Sequence, residues 1–210
     1  MKALVLGATG LVGGNLLEML LANEKFSKIE TWSRSELKIS NSKLKQVVYS
    51  FEKNVPYPVF KDIDVVFCCL GTTIKKAGSK EAFIRVDQEI PLEVAQLAKQ
   101  NGCESYLIVT AMGANASSMF FYNQVKGKVE DSLANFNFGQ LGIFRPSMLL
   151  GDRKEQRTME SVGQKVMLFF DFLTPKNYKA ITATKVAKAM MAFSISDKKG
   201  LNVIPSGSMY

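Results

Sequence analysis

Histidine does not occur anywhere in this 210-residue chain, and its absence excludes more chemistry than any motif present. Without imidazole there is no Ser-His-Asp triad, no Cys-His nucleophile pair and no HExxH zinc site. Cysteine is scarce too. Cys68, Cys69 and Cys103 are the only three, none spaced as CxxC, and two are adjacent inside an apolar run. Such thiols read as buried and reduced, not as a disulfide framework, so a cytoplasmic location and no metal are expected. No apolar run approaches the ~20 residues that span a bilayer. The apolar N-terminus reads as a strand of the fold, not as the core of a signal peptide. Dense basic tracts interleaved with aromatics are also missing, although the net charge is +8. Nucleic acid is therefore not expected as a partner, and the diffuse positive field suits a small phosphorylated ligand. What remains for chemistry is Tyr, Lys, Ser, Thr, Arg and carboxylates, with an organic cofactor.

With 47% hydrophobic and 22% charged residues, the composition is that of an ordinary globular protein. The length suits one domain over 1–210, with 151–210 as a substrate-side segment. Short apolar runs recur along it at Met1 to Leu6, Lys28 to Trp32, Gln46 to Tyr49, Asp64 to Leu70, Tyr106 to Thr110, Leu141 to Arg145 and Leu201 to Ile204. Each reads as a strand, the first and Asp64 to Leu70 as strands buried on both faces. Amphipathic segments lie between them: Leu11 to Ala22, Lys80 to Gln100 with Pro91 expected to kink or divide it, and Met119 to Phe136. Thr182 is placed to cap a last helix through Phe193. Strands alternating with helices predict an α/β fold, a Rossmann-type doubly wound parallel sheet of about seven strands with a short helical C-terminal extension. The apolar stretch Met159 to Leu173 has three readings: a helix over the sheet edge or a substrate pocket, a subunit contact, or a membrane-surface helix.

The first strand runs into Gly7-Ala8-Thr9-Gly10-Leu11-Val12-Gly13. A glycine-rich turn between strand and helix lets backbone approach a pyrophosphate, whose charge is met by the helix N-terminus. Gly7, Thr9, Gly10, Leu11, Val12 and Gly13 are the candidate cofactor contacts. After the second strand comes Ser33-Arg34-Ser35, where an NAD-specific fold has an acid on the ribose 2′-hydroxyl. Arg34 there favours the 2′-phosphate, hence NADP(H) over NAD(H); the alternative is a solvated loop arginine. Tyr122 and Lys126 form a YxxxK pair on one helix face. The ammonium favours the phenolate, suiting Tyr122 to exchange a proton with a carbonyl or alcohol. Tyr49/Lys53 and Tyr57/Lys61 have the same spacing, but only Tyr122/Lys126 lies on the helix after the fifth strand.

LGATGLVG (Leu6 to Gly13), CCLGTTIKKAG (Cys68 to Gly78), FIRVD (Phe83 to Asp87), YNQVKGKVE (Tyr122 to Glu130) and FRPSMLLGDR (Phe144 to Arg153) together resemble an atypical short-chain dehydrogenase/reductase. Within that superfamily the chain is similar to the NAD(P)H-binding Tat-interacting-protein (metastasis suppressor) family and its bacterial relatives. The resemblance implies that Cys69, Leu70 and Gly71 end the fourth strand beside the cofactor and that Pro146 starts the loop beside the nicotinamide. It implies that Lys126 also holds the nicotinamide ribose. Thr72 and Thr73 are either cofactor hydroxyls or turn residues. Where the superfamily has a serine to hold the substrate carbonyl, this chain offers Thr110, followed by Ala111. Ser117 and Ser118 are possible substitutes. Ser50-Phe51 stands where relatives often carry an acid near the adenine. Lys75, Lys76, Arg85 and Arg153 are either anion contacts or solvated charges, and Asp87 is either a cofactor contact or structural.

The expected activity is an NADP(H)-dependent oxidoreductase acting on a small carbonyl/alcohol substrate. Tyr122 would exchange the proton, Lys126 tune it and Thr110 orient the carbonyl. The alternatives are a non-catalytic NADPH-binding redox sensor, or an epimerase or dehydratase using bound cofactor. The substrate and any homo-oligomer are left open.

Overall fold

A computed structural model describes residues 1–150 and 178–210. The main strands are β1 (Lys2–Leu6), β2 (Lys28–Ser33), β3 (Leu44–Val48), β4 (Val65–Cys68), β5 (Ser105–Val109), β6 (Gln140–Arg145) and β9 (Gly200–Pro205). They form one parallel sheet in the order β3-β2-β1-β4-β5-β6-β9. A two-residue pair, β7 (Leu149–Leu150) with β8 (Ile181–Thr182), stands apart. Strand order reverses between β1 and β4, which makes the gap above their carboxyl ends the switch point where doubly wound sheets bind ligands.

The central strands are apolar throughout because helices cover both faces. Alternate residues therefore enter different cores. Ala3 and Val5 pack with Leu16, Leu17 and Leu20 of α1 (Leu11–Ala22) and with Val186 and Met190 of α6 (Ala183–Ser194). Leu4 and Leu6 pack on the other side, against Val94 and Ala98 of α4 (Ile90–Gln100) and Val129 and Leu133 of α5 (Phe121–Ala134). Burying one leucine or valine side chain contributes about 1.5–3 kcal/mol, so this alternation fixes the register.

The expected fold is the observed one. The Thr182 hydroxyl caps α6 by accepting the Lys185 N–H at 3.3 Å. The third strand starts at Leu44, not Gln46, and a short α2 (Ile74–Ala77) joins the set. The helix expected over Lys80 to Gln100 is divided: α3 (Lys80–Ile84), a π turn (Arg85–Glu89), then α4. Pro91 has no N–H to offer the preceding turn, and the Ile90 N–H reaches back five residues to the Arg85 carbonyl. The stretch Met159 to Leu173 and Arg153 lie outside the described residues. Among those described, no helix is long and apolar enough to cross a membrane.

Candidate functional site

Backbone meets backbone at the glycine turn. Gly7 has φ +77°, and a Cβ on it would lie 2.5 Å from the Cys69 carbonyl oxygen. A Cβ on Gly13 would lie 2.2 Å from the Gly7 oxygen, whereas one on Gly10 would be 3.2 Å from it. Close packing of β1, α1 and the loop after β4 thus depends on Gly7 and Gly13. Gly10 and Thr9 are exposed at the rim, Leu11 is half-buried and Val12 joins the core. Gly10 is the N-cap of α1, with no side-chain cap and no acid in the first turn. The leading N–H groups of the helix are free to meet an anion, so the cradle fits a pyrophosphate.

On the β2 side, the Ser33 hydroxyl donates to the Ser35 carbonyl at 2.8 Å. That turn leaves Arg34 exposed, and it forms no ion pair with a described residue. Glu30, the acid within β2, is buried and already accepts from the Trp32 indole at 2.7 Å and Lys45 at 3.0 Å. No carboxylate in β2 is left for a ribose. Across the turn, the Cys69 N–H continues the β1 ladder to the Leu6 carbonyl at 2.9 Å. Leu70 is half-buried and Gly71 exposed.

Lys126 is the centre of the other half. Its side chain is 4% exposed, and its Nζ lies 2.8 Å from Oδ1 of Asp87, which is 1% exposed. The second Asp87 oxygen accepts the Thr72 N–H at 2.9 Å. A Cβ on Gly71 would be 3.7 Å from Asp87 and 4.0 Å from Lys126, so the pair lies directly beneath the exposed end of the β4 loop. Burial pulls the Lys126 pKa down, but the Asp87 carboxylate and the Tyr122 phenol outweigh it and hold the ammonium above its ordinary value. Tyr122 is one turn earlier on the same helix, 37% exposed, its ring 5.7 Å from that of Phe83. Behind α5, Arg145 at the end of β6 pairs with buried Glu130, and Gly127 admits the Asn115–Ala116 backbone, 2.1 Å from where its Cβ would be.

Thr110 is buried, and its hydroxyl donates to the Phe144 carbonyl at 3.3 Å. A substrate carbonyl needs a donor, and in this arrangement that proton is already used. Pro146 is buried and its carbonyl accepts the Met112 N–H at 2.9 Å. Thr73 is a turn residue that caps α2 by accepting the Lys76 N–H. Ser118 accepts the Phe120 N–H at the entrance to α5, and Ser117 is exposed. The other two YxxxK matches are structural: Tyr49 donates to the Val55 carbonyl and Tyr57 to Glu93, while Lys53 pairs with Glu89. Asp87 is the residue that spacing undervalued. Its one signal is the carboxylate that closes the FIRVD segment.

The HIM1 family model matches residues 26–178. Rat protein HTATIP2 is 39% identical over 203 residues, spanning 93% of this chain and 82% of that protein. The FMP52 protein of Eremothecium gossypii, named mitochondrial, is 32% identical over 205 residues, 95% of this chain and 91% of its own. Among solved structures, a short chain dehydrogenase family protein from Francisella tularensis superposes with a TM-score of 0.70 at 16% identity, covering 99% of this chain and 98% of its own. A UDP-glucuronic acid 4-epimerase from Bacillus cereus, in complex with NAD, gives 0.69 at 13% identity over 98% and 78%. At such identities the likeness is one of fold. The cytoplasmic expectation is overturned, because the fungal FMP52 relatives are named mitochondrial. Buried free thiols mark a reducing interior but do not tell one such compartment from another.

Proposed function

From its membership of the HIM1 family, which makes the chain an atypical short-chain dehydrogenase/reductase, we propose an NADP(H)-dependent oxidoreductase acting on a small carbonyl or alcohol. The observation that carries this reading is Lys126 buried beneath Gly71 with Tyr122 on the same helix, in a fold that also has an uncapped N-terminus of α1 after the glycine turn. A bound nicotinamide supplies hydride chemistry. The N–H groups of Leu11 to Gly13 hold the pyrophosphate and Arg34 takes the 2′-phosphate. Cys69, Leu70, Gly71 and Pro146 wall the groove. The Tyr122 phenol oxygen gives or takes the proton of the reacting oxygen, and Lys126, fixed by Asp87, reaches the ribose. The chain works as one unit over 1–210, with 151–210 contributing the substrate-side segment.

The second reading is a non-catalytic NADPH sensor, and the committed Thr110 proton favours it. Fluorescence titration with NADPH and NADH, together with turnover of an aldehyde and ketone panel, separates the two. NADPH binds more tightly than NADH, and Arg34→Ala erases most of the difference, about tenfold to a hundredfold for a charge-assisted contact. Tyr122→Phe keeps NADPH affinity and lowers turnover by about a hundredfold to ten-thousandfold. Equal affinities for both cofactors overturn the NADP preference. Absence of any Tyr122-dependent turnover across the panel gives the protein to the sensor reading.

A further inference from the structure

A π turn takes side chains out of ordinary helical register, and such turns concentrate at functional sites. In this chain the turn Arg85–Glu89 holds two residues, Arg85 and Asp87, that bond two different loops. Arg85, with its side chain 15% exposed, donates from Nη2 to the Phe51 carbonyl at 3.0 Å. Its Nη1 bonds Glu93 at 2.5 Å and Glu89 at 3.4 Å. The other Glu93 oxygen accepts the Tyr57 hydroxyl, so the guanidinium is fixed before it reaches the loop.

That loop has reason to need holding. Phe51 sits at φ +60°, a left-handed backbone that a bulky side chain keeps only when its surroundings impose it. Its ring packs against Tyr49 at 4.9 Å and Tyr57 at 6.3 Å. A hollow of about 390 Å³ bordered by Lys53, Tyr57, Arg85 and Glu93 lies behind the contact. Losing Arg85 therefore loosens the loop at its guanidinium contact. Two residues along the same turn, Asp87 fixes the Thr72 N–H and Lys126.

The Ser50–Phe51 loop leaves β3 and the Thr72 loop leaves β4, on opposite sides of the switch point. In doubly wound sheets the adenosine half lies on the β2 side, where the ribose-reading loop follows β2. We infer that the π turn Arg85–Glu89 is a strut setting both ends of the cofactor groove. Arg85 is the positioning residue for the adenosine half, through the Phe51 carbonyl, and Asp87 is the one for the nicotinamide half, through Thr72 and Lys126. This rests on the cofactor reading above.

Half-cofactors test it. Adenosine 2′,5′-bisphosphate, reduced nicotinamide mononucleotide and NADPH are titrated calorimetrically into the full chain and its variants, with circular dichroism as the fold control. Arg85→Met weakens the bisphosphate and NADPH by about tenfold, the worth of one charged hydrogen bond, and leaves the mononucleotide unchanged. Asp87→Asn does the reverse. Phe51→Gly, which relaxes the same loop without touching the guanidinium, reproduces the Arg85→Met pattern. Unchanged bisphosphate affinity in Arg85→Met or in Phe51→Gly overturns the inference, as does equal weakening of both halves in either variant. An unmodified protein that binds none of the three overturns the cofactor reading itself, and the strut with it.

Discussion

Lys126→Met removes one charge from a pair that water does not reach. The lysine side chain is 4% exposed and the Asp87 side chain 1%, with 2.8 Å between charged atoms. After the substitution the carboxylate stays buried with only the Thr72 N–H to satisfy it. Breaking one side of a buried pair costs about 3–5 kcal/mol, a large share of the ~5–15 kcal/mol that holds a domain together. In a domain of this size ~1 kcal/mol moves the melting point by about 2–4 °C, so Tm falls by about 6–20 °C. Adding Asp87→Asn removes the orphaned charge and keeps an oxygen for Thr72, so the double variant recovers at least half the loss. The sign with pH follows from the raised Lys126 pKa. The pair contributes fully below the ordinary lysine value of about 10.4 and fades as pH rises above it, so neutral pH is on the plateau. Urea unfolding followed by circular dichroism measures both variants. A loss under about 1 kcal/mol for Lys126→Met, or a double variant no more stable than the single, refutes the reasoning.

Gly13→Ala forces a Cβ to 2.2 Å of the Gly7 oxygen, against 3.2 Å for Gly10→Ala. Overpacking of backbone costs about 1–3 kcal/mol or more, so the Gly13 variant unfolds at clearly lower urea than the Gly10 variant, and equal midpoints refute the packing role. Burial pushes the Cys68 and Cys103 thiols up to about 11 from an ordinary 9.0. Stability from these neutral thiols is whole below pH 9.0 and lost as pH rises to about 11, roughly 2–3 kcal/mol each. Unfolding between those pH values measures it, and a Cys68→Ala/Cys103→Ala protein must show a shallower alkaline decline if the thiols are its cause.

The strands were legible because burial on both faces leaves a signal within each run, as in DVVFCCL, where Val65 to Cys68 are all buried. Edge strand β3 was legible only roughly. It is partly solvated, with Lys45 and Val48 exposed, and its start is tied down by nonlocal bonds from Lys43 to the carbonyls of Leu21 in α1 and of Asn23 just past it. Pro91 announced a break in the long helix, but no local preference says that the break widens into a π turn. The glycine turn and the Tyr122/Lys126 spacing were legible for the same reason as the strands: their members are neighbours in the chain. What those members do is decided by groups from elsewhere. The Thr110 proton is taken by Phe144 because β5 and β6 pair in a register that aligns Val109 with Phe144. Read from spacing alone, Lys126 is a free cation facing Tyr122. With Asp87 against it, it is half of a nearly neutral buried pair, and its field at the phenol is correspondingly reduced. A YxxxK motif therefore places the lysine, while a carboxylate on another helix sets how much of its charge the tyrosine feels.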